Sequence, residues 1–164
     1  MQDRRIVKIL NEIICRSFCL LVFLLPLVFS REVFLAFELV KVSFFRFFTV
    51  WIWLLLGLKF LWQGRVAWSG FSGRFGILFV GYLLAVVLAT GFSLSPFVSF
   101  WGSYERQQGV LQLMFYWLFF GCCVLYFSQC REKIAVVIKA ALWGAVVVSV
   151  WAILQWVFPL LSDA

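Results

Sequence analysis

The sequence predicts an all-α protein, a polytopic membrane helix bundle of about five transmembrane helices with its N-terminus inside and its C-terminus outside. Three observations carry that expectation. Of the 164 residues 65% are hydrophobic and 21% aromatic, only 13% are charged and none is histidine, which leaves too few polar side chains to solvate a globule of this size. The apolar residues gather into runs of helix length separated by short polar links. Finally, Lys and Arg are unevenly shared between alternate links: Arg4, Arg5, Lys8, Arg65, Arg74, Arg131 and Lys133 fall on one side, whereas Arg31, Lys41 and Arg106 on the other are balanced by Glu32, Glu38 and Glu105. The basic side is expected to be cytoplasmic.

The first element begins before the bilayer does. Met1 to Lys8 is polar and basic, and Lys8, Glu12 and Arg16 recur every four residues, on one helical face where they can pair. The uncharged stretch from Ser17 to Ser30 is roughly 21 Å as a helix, short of a ~30 Å hydrocarbon core, so the first span is drawn from about 11 to 30 with Arg16 snorkelling. A secretory signal peptide is the rival reading; Glu12 in a long leading region and the further spans behind it favour a retained helix.

Arg31 to Lys41 then reads as a short outward link. The second span covers 42–62, with Arg46 and Lys59 near its two ends, where a charge is cheapest and both are expected to snorkel outward. Gln63 to Arg74 is a Gly- and Ser-containing basic turn, and the third span runs over 75–92. After the long central interruption come a fourth span at 110–127, a charged turn at 128–133, and a fifth span at 134–158 that Pro159 is expected to close. In that last span Ala140 with Gly144, and Ala141 with Ala145, are small residues four apart that let a neighbouring helix come close. The whole chain is read as a single transmembrane domain.

Gly91 to Gly109 is the longest break in the apolar pattern. Read as a helix from Pro96 with Ser95 as its cap, it places Phe97, Phe100, Trp101 and Tyr104 on one side and Ser99, Ser103 and Arg106 on the other, an interfacial pattern. An irregular loop in the aromatic interface belt is the alternative, so the region 95–108 is expected to be a short interfacial helix or loop.

Composition also excludes functions. The net charge of +7 comes without a dense basic run, which argues against nucleic acid and for membrane lipids as partners. Cys15, Cys19, Cys122, Cys123 and Cys130 have neither histidine nor zinc-ligand spacing around them, so no metal or cofactor is implied. Glu32 and Glu38 diverge on a helix and are poorly placed for acid–base work, and Gln155 reads as a packing residue. What remains outside is a set of cations near aromatics, Arg31, Lys41, Arg46 and Arg106, suited either to anchoring helices or to holding a diphosphate headgroup.

The run from Ala89 to Gly109, containing Trp101, Tyr104, Glu105 and Arg106, resembles a segment of the bacterial O-antigen ligase and O-antigen polymerase family. Phe37-Glu38-Leu39-Val40-Lys41 resembles that family's Glu-and-Lys link after the first span. The resemblance covers this chain as the N-terminal part of a longer protein. It implies metal-independent glycosyl transfer from a polyprenyl-diphosphate-linked glycan to an acceptor sugar in lipopolysaccharide biosynthesis, at the outer face of a bacterial plasma membrane. Arg106 and Lys41 become the expected headgroup contacts, with Glu38, Trp101, Tyr104 and Glu105 as motif matches. The family's outward histidine has no counterpart here, so this chain alone is expected to be inactive. A small non-enzymatic multi-pass protein, an assembly or transporter subunit, is the alternative.

Overall fold

In the second helix, Phe45, Thr49, Ile52, Leu56 and Lys59 follow one another at alternating spacings of four and three, so they line one face, and all are buried. That stripe organises the fold seen in a computed structural model. It describes residues 2–28, 37–64, 73–102 and 108–162, and is helical wherever it has regular structure. The helices are α1 (Gln2–Leu24), α2 (Phe37–Gln63), α3 (Gly73–Gly91), α4 (Pro96–Trp101), α5 (Val110–Phe127) and α6 (Ile134–Ser162), the last entered through a single 3-10 turn at Arg131–Lys133.

The core lies where α1, α2 and α5 meet. Ile14, Phe18 and Leu21 of α1 oppose Phe45, Ile52 and Leu56 of α2, with Cys122 and Tyr126 of α5 between them. Phe18 is the hub: its ring centroid lies 5.8 Å from that of Phe119, 5.5 Å from Tyr126 and 5.3 Å from Phe127. Aromatic pairs at such separations add attraction beyond simple burial.

Helix directions follow from paired contacts. Arg46, Trp53 and Lys59 of α2 reach Gln112, Leu118 and Gln129 respectively, so α2 and α5 run parallel. Tyr126 reaches Asn11 while Phe119 meets Phe18, so α1 runs against α5. On its other side α1 runs parallel to α6: Lys133 Nζ pairs with Glu12 Oε1 at 2.6 Å, and further along a Cβ on Gly144 would come within 2.9 Å of the Phe23 carbonyl oxygen. The small residue at 144 thus admits a backbone, as its spacing with Ala140 suggests. α3 is peripheral and mostly exposed, touching α5 through Tyr82 and Trp117, whose centroids are 5.2 Å apart.

Among the described residues three stretches are long and apolar enough to cross a membrane, Leu39–Gln63, Val110–Phe127 and Arg131–Leu154, with Val80–Gly91 a shorter apolar helix. This marks the chain as a membrane protein. Several boundaries move from the expected ones. α1 stops at Leu24 and passes into a turn around Pro26, short of the Ser30 drawn for the first span, because proline's ring and missing N–H do not suit a helix interior. α2 starts at Phe37, so Glu38 and Lys41 belong to a helix rather than to a link. α6 continues through Pro159 to Ser162; one proline close to a helix end removes few backbone bonds.

Arg46 and Lys59 do not snorkel outward. Both turn into the bundle, and Lys59 is only 1% exposed. The reason is phase: spacing puts Lys59 on the stripe with Ile52 and Leu56, and distance from the helix end does not change that.

Candidate functional site

The segment expected to matter most is held by its own backbone. Proline at the first helical position presets φ and forgoes an N–H that would be unpaired there, so α4 begins at Pro96 as its sequence suggests. Ser95 occupies the cap position, but its side chain makes no capping bond. The hydroxyls of Ser93 and Ser99 join instead, 2.6 Å apart, and Ser99 N donates to Ser95 O at 3.0 Å. The helix ends sooner than the pattern drawn from the sequence, which ran on to Arg106. Gly102 has φ 85°, a left-handed value that stops the helix at Trp101 and that a side chain would strain. Gly109 backs directly onto Phe100, Trp101 and Gly102, leaving no room for a Cβ.

Within α4 the expected division of faces is seen. Phe97, Phe100 and Trp101 are exposed, whereas Ser99 is half-buried. Trp101 packs on Phe97 and Phe100, with centroids 6.3 and 5.5 Å away, and so faces outward rather than into a site. Ser99 helps line a cavity of about 320 Å³ between α3, α4 and α5, together with Tyr82, Thr90, Gly109 and Leu113.

Tyr104, Glu105, Arg106, Arg31 and Glu32 lie outside the described residues, as do the side chains of Glu38 and Gln155. Lys41 is half-buried near the start of α2, at the end of the bundle where α5 begins. Arg46 lies five residues on, roughly 140° around the helix from Lys41, so the two cations do not share a face. Arg46 Nε donates to Gln112 Oε1 at 2.9 Å, and its guanidinium stands over the Phe115 ring, 5.5 Å from the centroid. Gln112 is buried and follows Gly109 by one turn, which ties Arg46 to the base of the loop.

A second polar join closes the other end of the α2–α5 seam. Lys59 Nζ donates to Gln129 Oε1 at 2.8 Å and stands over Tyr126, 5.5 Å from its ring centroid. Tyr126 Oη donates to the Asn11 carbonyl at 2.8 Å, and Asn11 Oδ1 is buried without a partner. Sequence reasoning missed the roles of Gln112 and Gln129. Their signal was available: each amide falls at an end of a run that is otherwise apolar, opposite in the seam to one of the two cations of α2.

All five cysteines are free, and no group of His, Cys, Asp and Glu among the described residues is arranged to hold a metal. Among the described residues, the cations Arg46 and Lys59 are bonded to the amides Gln112 and Gln129 towards the two ends of the α2–α5 seam. In comparisons with known proteins, no family model, no curated protein and no solved structure matches the chain.

Proposed function

We propose that the chain is a membrane part of a lipid-linked glycan ligase or polymerase, acting on polyprenyl-diphosphate-linked oligosaccharide at the outer face of a bacterial plasma membrane. The reading rests on the resemblance of Ala89–Gly109 and Phe37–Lys41 to the O-antigen ligase and polymerase family. The observation that supports it best is that both stretches lie at the end of the bundle where α5 begins. Arg46 of α2 is bonded to Gln112, one turn beyond the loop that carries Arg106, and Lys41 lies at the same end. We further propose five spans with the N-terminus inside: the count fits the opposed directions of α1 and α5 and of α3 and α5, and the orientation rests on the Lys and Arg asymmetry between alternate links alone.

In this reading Arg106 holds the diphosphate, with Lys41 adding charge and the aromatics of α4 seating the loop in the interface. A photoreactive polyprenyl-diphosphate oligosaccharide, offered to the full chain in membranes, tests it. Arg106→Ala should reduce labelling about ten- to a hundred-fold, the loss of a charge-assisted bidentate contact, and Arg106→Lys should reduce it less. Labelling equal to the parent in both variants would overturn the reading and leave the chain as a non-enzymatic assembly or transporter subunit.

A further inference from the structure

Of the three spans, Arg131–Leu154 is the least covered by its neighbours: the share buried is 6%, against 33% for Leu39–Gln63 and 22% for Val110–Phe127. Its helix, α6, meets α1 along one side, where Gly144 approaches the Phe23 backbone. Roughly a quarter-turn round the helix from Gly144, residues Val136, Lys139, Trp143, Val147 and Val150 follow one another at spacings of three and four and are all exposed, so they form a second face.

Trp143 lies at the middle of that span, is 67% exposed, and its indole N–H has no partner among the described residues. The mid-span indoles of α2 behave otherwise. Trp51 Nε1 donates to Ser17 Oγ at 3.3 Å and Trp53 Nε1 to Leu118 O at 3.0 Å, each across a seam between helices. A donor left unpaired in hydrocarbon is costly, and a lipid-facing indole ordinarily sits in the headgroup belt, where water meets it. Lys139, one turn nearer the Glu12–Lys133 end on the same face, also makes no hydrogen bond or ion pair among the described residues. Glu12 is held by Lys133 at 2.6 Å, and Glu132 lies two turns from Lys139, about 10 Å along the axis. Lys139 can lift its ammonium towards that end, but the Trp143 ring has no flexible stem and stays at depth.

We propose that this face of α6 docks a transmembrane helix of a partner protein, one that carries a carboxylate level with Lys139 and a hydrogen-bond acceptor level with Trp143. Charge and hydrogen-bond complementarity select the occupant. An acyl chain offers the indole no acceptor at mid-depth, and a second copy docked by the same face would set Lys139 against Lys139. A helix with a carboxylate and a hydroxyl one turn apart meets both donors, and Val136, Val147 and Val150 supply the packing around them. The inference rests on the chain being embedded in a bilayer and not on the glycan reading.

Energy transfer from the labelled full chain to labelled Leu/Ala transmembrane peptides in phosphatidylcholine vesicles tests the face. One peptide carries Glu level with Lys139 and Ser one turn deeper, a second has Gln in place of that Glu, and a third has neither polar residue. The Glu/Ser peptide should bind about ten-fold more tightly than the plain one. Trp143→Phe, which keeps the ring and removes the N–H, should weaken that binding about three-fold. Lys139→Gln should erase the preference for Glu over Gln, and Lys139→Glu should restore binding to a peptide with Lys at the matching level. The proposal is overturned if the three peptides bind alike, as they would to a face that only lipid covers, or if Trp143→Phe binds like the parent. It is equally overturned if Trp156→Phe, about 140° round the helix, loses as much, or if unlabelled parent displaces the peptide by occupying the face as a second copy.

Discussion

Lys59 shows how a cation is accommodated in a seam of apolar side chains. Its ammonium has an amide oxygen at 2.8 Å and a ring face at 5.5 Å, so its charge meets a dipole and a quadrupole without a carboxylate among the described residues. Gln129→Leu should therefore destabilise the chain by about 1 to 3 kcal/mol, since it leaves a buried donor unmet. Adding Lys59→Met should recover much of that loss, because removing both partners is far less costly than removing one. Thermal unfolding of the two single variants and the double variant in detergent measures the coupling; strictly additive effects would show that the pair does not interact. At this scale the sequence was only half legible. That Lys59 and Arg46 lie near helix ends was plain, but their direction depended on the phase of the Phe45–Ile52–Leu56 stripe. Their partners sit 70 and 66 positions away, beyond any local pattern.

Among the elements, glycines decide where backbones come together. Gly144 meets the Phe23 backbone, whose atoms cannot rotate away as a side chain could, so Gly144→Ala should separate α1 from α6 and cost about 1 to 3 kcal/mol. Ala145→Val, at an exposed neighbour, should stay within about 0.5 kcal/mol in the same unfolding assay. Gly109→Ala should displace α4 from the start of α5, read as increased accessibility of a cysteine placed at Ser99. Unchanged accessibility would mean that the loop accommodates a side chain there. The start of α4 was legible because Pro96 acts through its own ring. Its end was not, since the aromatic spacing through Tyr104 continues the pattern while Gly102, with φ 85°, breaks the helix that would carry it. Small residues four apart in α6 announced a close neighbour without saying that it would be α1.

For the whole molecule, the five-span reading makes a direct prediction about sidedness. In a variant without the native cysteines, Leu94→Cys in the exposed loop and Glu132→Cys in the exposed turn should react with an impermeant thiol reagent from opposite sides of the membrane. Reaction from one side only would overturn it. The all-helical class was readable from composition, since so few charged residues can cover so little surface. The pairing of the first helix with the last was not, because neither carries a local mark of its partner. That pairing governs how the protein is made. Glu12 and Lys133 are 121 positions apart, and at about 5 to 20 residues per second the ribosome needs roughly 6 to 24 seconds to travel between them. Throughout that interval the newborn α1 has Glu12 and the Phe23 backbone uncovered, within reach of an insertase or a quality-control protease. Nascent chains stalled before Ile134 should accordingly crosslink from Phe23 to such factors, and chains released after α6 should not.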